Sequence, residues 1–499
     1  MKKDKIIKYC IFILFLFLPI RDILRTTFIK DVEIFNISVI EIVNIVLITV
    51  ALLFTIIKIF RKQKREVFLL FIFLALSLVY IFLHYKNIIR FDTSIYEKAN
   101  FNFMIESFYI FRIYVLPLLV VFILLTNKDI FNREFYFNVA KIVICEISFS
   151  IIVLNILKIS YISYSASHKF ITNNMFDYFL YTGNYRQLAS RGWFDSANEL
   201  SAILIMLLPI NIYLYYKENK KFNLVMLFCQ ILSMIILGTR IAALGSVLVS
   251  FFSLLVYIIV QYINKKKLNY NFLKSTFIIS IILTAFMTIS PFMFGKIEND
   301  FHVFSNSNAT LFEEIDKEKE NKTIADFIYK NRYKFAINEA FLKLYPPKND
   351  IDFWKMIIKR DPAINNNSRV IKIDIISRIK ERNNNKMDSL FGLGYTLNFL
   401  DLERDYVNQY YIFGIFGIIL FIVPYLITLF VNIFKLLFGF KKYFNFGNVL
   451  FIMSGCLGLL SAYLSGHVFG WVSPMMCLAM CLCLSSCFIT NKKEKEGQK

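Results

Sequence analysis

Long apolar runs alternate with short polar segments along most of this chain. Most runs reach about 18 to 25 residues, the length a helix needs to cross a hydrocarbon core. The pattern predicts spans near 6–20, 36–57, 67–83, 106–126, 138–158, 199–216, 222–238, 241–263, 272–294, 408–434, 447–465 and 471–489, about 12 helices in all. One polar stretch of about 110 residues breaks the rhythm, from Gly295 to Val407. A loop of that length between two spans usually carries function or folds on its own. The expected architecture is an all-α, polytopic integral membrane protein with one large, mostly helical extracytoplasmic loop. Residues 1–294 would hold the first nine helices, 295–407 the loop, and 408–499 the last three helices and a cytoplasmic tail.

Composition agrees: of 499 residues, 57% are hydrophobic and 17% aromatic. The net charge of +21 would suit a nucleic-acid binder, but its placement does not. The large loop is nearly neutral, with about 19 Lys/Arg against about 18 Asp/Glu, so nucleic acid is excluded as a partner. Basic residues collect instead at the N-terminus, Lys58–Arg65, Lys128/Arg133, Lys217–Lys221, Lys265–Lys274, Lys435–Lys442 and Lys492–Lys499. Those segments share one side and carry about 25 Lys/Arg, against about 10 in the short loops opposite. The positive-inside bias then makes both termini cytoplasmic and turns the large loop outward, in a cell membrane. The opening Met1-Lys-Lys-Asp-Lys leads into an apolar stretch without a small-residue cleavage site, which reads as a retained first span.

Inside the loop, the charge run Glu313–Glu320 reads as a solvated linker or an exposed helix start. Ile324, Phe327, Ile328, Phe335, Ala340, Phe341 and Leu344 recur at near-helical spacing up to Pro346-Pro347, which would stop a helix. A second amphipathic stretch begins near Ser368, and Asn383-Asn-Asn385 reads as a turn or linker. The eight cysteines all lie in apolar runs and read as small apolar filler. No His or carboxylate joins Cys483 and Cys487 to complete a metal set, so neither a metal nor another cofactor is expected.

Candidate chemistry gathers at three helix starts that the topology places outward. Arg191-Gly-Trp-Phe-Asp-Ser-Ala-Asn-Glu199 leads into the sixth span, and Gly238-Thr-Arg240 into the eighth. Glu403-Arg-Asp405 precedes the tenth. A helix N-terminus beside an Arg fork suits phosphate, through aligned amides and bidentate donors. Each feature also has a plain structural reading. An interfacial Arg snorkels to headgroups, Ser196 with Glu199 forms a capping box, and a carboxylate at a helix start favours the macrodipole. Arg369, in a charged loop, reads as surface when taken alone. His467, in Ser465-Gly-His-Val, could titrate near neutrality but a lone interfacial His is usually structural.

Together these segments resemble the superfamily of O-antigen ligases and polysaccharide polymerases. The run from Arg191 to Ser201 is similar to its Arg…Gly-Phe…Asn segment, in which Asn198 takes the Asn place. Gly238-Thr-Arg240 resembles its short Ser/Thr-Arg turn. Phe391-Gly-Leu-Gly394, Glu403-Arg-Asp405 and Phe413-Gly-Ile-Phe-Gly417 resemble its loop exit. Asn367-Ser-Arg369 and Ser465-Gly-His-Val look like segments of Gram-positive-type members. The resemblance implies an inverting, metal-independent glycosyl transfer from an undecaprenyl-pyrophosphate-linked oligosaccharide. Arg191, Arg240 and Arg369 would then hold the pyrophosphate, with Asn198 and His467 as further contacts. Ligases carry a His about eleven residues before the first Gly of the Gly-x-x-Gly pair; here that place is Glu403. The departure favours a polymerase of capsule or exopolysaccharide repeat units that uses Glu403 or Asp405 as general base. Membrane lipids, a flippase and a chain-length regulator of the same pathway are the expected partners. Transfer of finished glycan to another acceptor is the nearest alternative, followed by a lipid-linked sugar flippase or a non-catalytic scaffold. No clear repeat supports the transporter reading.

Overall fold

The computed structural model describes residues 2–27, 33–34, 37–60, 63–96, 99, 101–165, 168–179, 188–288, 321–365, 368–395 and 402–490. The Glu313–Glu320 run, Asn366-Asn367, Asp401 and the basic tail at 491–499 lie outside the described residues. Two compact units emerge. The first comprises Met1–Leu76, Phe111–Lys296 and Phe421–Lys499; the second comprises Ser77–Ile110 and Ile297–Leu420.

Helix dominates the chain. In order come α1 (Lys2–Thr27), α2 (Val39–Ile59), α3 (Lys64–Ile88), α4 (Phe103–Ile110), α5 (Leu116–Thr126), α6 (Arg133–Ile156), α7 (Ala197–Glu218), α8 (Lys221–Leu237), α9 (Arg240–Ile263) and α10 (Tyr270–Thr288). Asp405–Phe421, Val423–Phe438, Phe446–Leu464 and Val472–Ser485 are the principal helices of the C-terminal part. Among the described residues, eight helices are long and apolar enough to span a membrane. A ninth is gained if Asp405–Phe421 and Val423–Phe438, bent by 41°, count as one. About 12 were expected, and the difference has three physical sources. Helix α1 carries Arg21, Asp22 and Arg25 in its apolar stretch. Helix α8 has 17 residues and Val472–Ser485 has 14, both short for a bilayer.

In the first unit, α7 forms the centre. Its apolar window is 94% buried, and it packs on α6, α8, α9, Phe446–Leu464 and Val472–Ser485. Small residues allow the close approach, because lipid offers no hydrophobic gain and packing must supply it. A Cβ on Gly458 would stand 2.5 Å from the Met206 sulfur, and one on Gly245 2.4 Å from an Ile205 methyl. Caps fix where these helices begin. Asn132 accepts from the Phe135 amide at 3.0 Å, Thr239 from Ala242 at 3.2 Å, and Asn445 from Asn448 at 3.0 Å. Helices α4 and α5 are joined by a π-helical turn, Phe111–Val115.

The second unit has its own core. Trp354, Tyr345, Ile328, Ile357, Ile371, Ile375 and Ile379 pack with Phe91, Ile95, Leu393 and Leu402. Besides α4 and most of Asp405–Phe421, its helices include Asn321–Asn331, Glu339–Leu344, Ile351–Ile358, Pro362–Asn365, Ser368–Asn383 and Asp388–Phe391. The apolar spacing from Ile324 to Leu344 is thus carried by two helices, separated where Ala336 takes φ 53. Asp350 ties Ile351–Ile358 to Tyr345 and to Ser368–Asn383. It caps Ile351–Ile358 through the Phe353 amide at 3.1 Å, accepts from Tyr345 Oη at 2.9 Å, and from Arg378 Nε at 2.8 Å.

At the end of this unit, two glycine-bearing segments interlock. Leu393 and Gly394 donate to Tyr411 and Ile412 carbonyls at 2.7 and 3.1 Å. Those carbonyls lie beside the break in Asp405–Phe421 at Gly414, which has φ 66 and ψ −170. A Cβ on Gly392 would meet the Ile412 oxygen at 2.0 Å, and one on Gly414 the Leu390 carbonyl carbon at 2.4 Å. Tyr80 Oη, donating to Phe413 O at 2.7 Å, and His84 Nδ1, 2.6 Å from Phe391 O, seal the crossing. Behind them Glu106, fully buried, accepts from the Tyr395 amide at 3.0 Å.

Candidate functional site

Three short extended segments, at 160–163, 169–171 and 189–192, form a small antiparallel sheet between α6 and α7 in the first unit. Tyr161 pairs with Phe170, and Ile162 with Ser190. The register then sets Tyr161 opposite Arg191: the Arg191 amide donates to Tyr161 O at 3.0 Å, and the Tyr161 amide to Gly192 O at 2.8 Å. Gly192, at φ 66, supplies the bulge that lets the chain turn toward α7. A side chain there would be strained and would press within 3.2 Å of the Phe194 ring.

This sheet holds Arg191 in an unusual state for a cation. The residue is 5% exposed. Its Nη1 donates to the carbonyls of Ser163 and Ser165 at 3.2 and 3.1 Å, while Nε is buried with no hydrogen-bond partner among the described residues. Burial pulls the guanidinium below its ordinary pKa, only partly offset by the charge of Asp195 and by Tyr161. Among the described residues, the hydrogen bonds of this buried cation go to neutral carbonyls, not to a carboxylate.

The same framework reaches the second arginine. Tyr164 Oη donates to Gly238 O at 2.8 Å, and the Ser190 amide to Ile236 O at 3.1 Å. Gly238 ends α8 at φ 67, and Thr239 then caps α9, with its hydroxyl 2.6 Å from Ser201 Oγ of α7. Arg240 is the first residue of α9 and is exposed. Asn198, half-buried, and Glu199, buried, stand in the first turn of α7, where Ser196 Oγ accepts from the Glu199 amide at 3.5 Å. Arg191, Arg240 and Asn198 thus sit on one hydrogen-bonded framework.

The second unit receives the other sequence candidates. Arg369 donates from Nε and Nη2 to one oxygen of Glu403, at 2.7 and 2.6 Å, with both side chains half-buried. Asp405, 3% exposed, is the first residue of Asp405–Phe421. His467 belongs to the first unit and takes φ 65 after Gly466 at φ 72. It stacks on Trp471 at 6.1 Å in the turn between the last two long helices.

Two buried clusters were not singled out from the sequence. In the first unit Arg21 contacts Asp22 at 3.0 Å and Ser473 Oγ at 2.5 Å, with Glu199 and Glu41 acting on it electrostatically. Glu41 also pairs with Arg112 of the π-helical turn. In the second unit His84 Nε2 lies 3.5 Å from Glu106. The available signal was a charge inside or at the edge of an apolar run, which for a membrane span marks a partnered position. Among the described residues no group of three or more His, Cys, Asp or Glu is arranged to hold a metal ion.

Comparison with known proteins supplies the family. No curated protein and no solved structure matches the chain. Over residues 3–494, nearly its whole length, the chain matches the O-antigen ligase like membrane proteins, and it belongs to that family.

Proposed function

We propose that this multi-pass membrane protein is a glycosyltransferase that joins lipid-linked oligosaccharide repeat units into a surface polysaccharide. The donor is an oligosaccharide on polyprenyl pyrophosphate, and the reaction takes place on the outer face of the membrane. An acceptor hydroxyl oxygen forms the new bond to the anomeric carbon as the carbon–oxygen bond to pyrophosphate breaks. The hydroxyl proton passes to a carboxylate, and the pyrophosphate leaves on its lipid. Negative charge grows on the leaving group, and guanidinium groups fixed beforehand stabilise it without reorganising.

The observation that carries this reading is Arg191, a buried cation with a donor unused among the described residues, on the framework that also presents Arg240 and the start of α7. A dianionic pyrophosphate supplies the charge that the carbonyls of Ser163 and Ser165 lack. For the base we propose Glu403 or Asp405. Arg369 is paired with Glu403, so it acts first as its counter-ion and holds phosphate only if it lets Glu403 go. Transfer of finished glycan to another carrier uses the same donor chemistry and is the second reading, favoured by the family's description.

Glycan length in cells carrying Arg191→Ala or Arg240→Ala, with membrane protein level checked, tests the reading. Single repeat units accumulating on lipid support polymerisation. Long chains that stay on lipid point to ligation. Chains of normal length and attachment in both variants sink the proposal.

A further inference from the structure

Resting on the donor reading above, we infer that the face of the small sheet beside Arg191 is a sugar subsite. It would receive the pyranose ring next to the pyrophosphate, stacked on Phe170. Residues opposite one another in an antiparallel sheet project to the same face. The register sets Arg191 opposite Tyr161 and Tyr161 opposite Phe170, so all three side chains share one face. A direct contact agrees: the Tyr161 and Phe170 rings stack at 5.2 Å and 17°.

The three residues differ in exposure. Arg191 and Tyr161 are buried, whereas Phe170 is 54% exposed, with one ring face covered by Tyr161 and the other open. Strands lie about 4.7–4.9 Å apart, so two strand spacings, about 10 Å, separate the Arg191 and Phe170 backbones. That span suits a pyrophosphate followed by one sugar ring. Polar groups rim the aromatic surface: His168 stands edge-on to Tyr161 at 4.9 Å, with Nε2 3.7 Å from Asp195. A buried cation, an open aromatic face and an imidazole–carboxylate edge match the three parts of a glycosyl pyrophosphate. These are its charge, the C–H face of its sugar and its hydroxyls. A lipid tail would need the open face but neither the cation nor the polar rim.

The test uses purified full-length protein and two ligands, polyprenyl pyrophosphate bearing the oligosaccharide and the same lipid without sugar. Phe170→Leu keeps apolar bulk and removes the aromatic face. It should weaken binding of the glycan-bearing lipid about tenfold and leave the sugar-free lipid unchanged, with Phe170→Trp restoring affinity. Equal binding of both ligands to Phe170→Leu and wild type would overturn the subsite. So would an equal loss for both ligands, which would make Phe170 a lipid or folding contact. Arg191→Ala separates the two claims, because it should weaken both ligands. If it weakens neither while Phe170→Leu discriminates between them, the pyrophosphate reading fails and the sugar contact stands.

Discussion

Arg369 and Glu403 are joined by two donors onto a single carboxylate oxygen, Nε at 2.7 Å and Nη2 at 2.6 Å. Two residues that the motif pattern assigns to separate tasks, phosphate binding and proton abstraction, are each other's partners in the folded chain.

Because both side chains are half-buried, the pair itself contributes only about 0.5–1 kcal/mol to stability. Removing it is therefore expected to leave the fold intact while changing activity. Glu403→Gln should slow transfer by about 10²–10⁴ if the residue is the base, with Arg369→Lys milder than Arg369→Ala. Single-turnover rates with lipid-linked donor measure this. Full activity in Glu403→Gln would move the role to Asp405.

The interlocked glycines admit no side chain. Ala at Gly392 meets a carbonyl oxygen at 2.0 Å from a backbone at φ 82, and Ala at Gly414 meets the Leu390 backbone. Either substitution is expected to cost more than about 2 kcal/mol and to lower the melting temperature of the purified protein. An unchanged melting temperature would show that the crossing yields cheaply.

Asp350 should govern the acid sensitivity of the second unit. Burial alone would raise its carboxyl, but the Arg378 hydrogen bond and the Phe353 amide hold it below its ordinary value. A folded pKa below the unfolded one means that the stabilisation is complete above about pH 4. It is lost as pH falls through the lowered value. Asp350→Asn keeps a cap and a partner for Tyr345 but not the charge. Its melting temperature should be lower than wild type at neutral pH and flatter between about pH 5 and 2. Parallel pH curves for the two proteins would contradict the assignment.

Asp22 neutralises Arg21 inside the first unit, where both are nearly inaccessible. Asp22→Ala strands a buried cation and is expected to destabilise by about 3–5 kcal/mol. The double change Arg21→Met with Asp22→Leu should recover most of that loss. If the double variant folds well yet fails to transfer glycan, the cluster has a role beyond packing.

Much of the helical frame was legible because its signals are local. Apolar runs placed the helices, and Ser196 and Thr239 announce the starts of α7 and α9 at sites where their hydroxyls do cap. Span length was less legible, since α8 and Val472–Ser485 are short and draw their stability from neighbours rather than from crossing distance. The small sheet left no pattern, as its segments have three or four residues and pair across up to about 30 positions. Without that sheet, Arg191 is indistinguishable from an arginine snorkelling to headgroups. The Arg369–Glu403 pair, 34 residues apart in the chain, and the Arg21–Ser473 contact, 452 apart, likewise arise only from the fold.

The most direct measurement is transfer by the purified protein from a defined lipid-linked repeat unit, following release of polyprenyl pyrophosphate and growth of the saccharide together. Arg191→Ala, folded and membrane-embedded, should lose at least about a hundredfold in rate, with Arg191→Lys only partly restoring it. Wild-type rates in Arg191→Ala would contradict the claim that this buried guanidinium holds the leaving pyrophosphate.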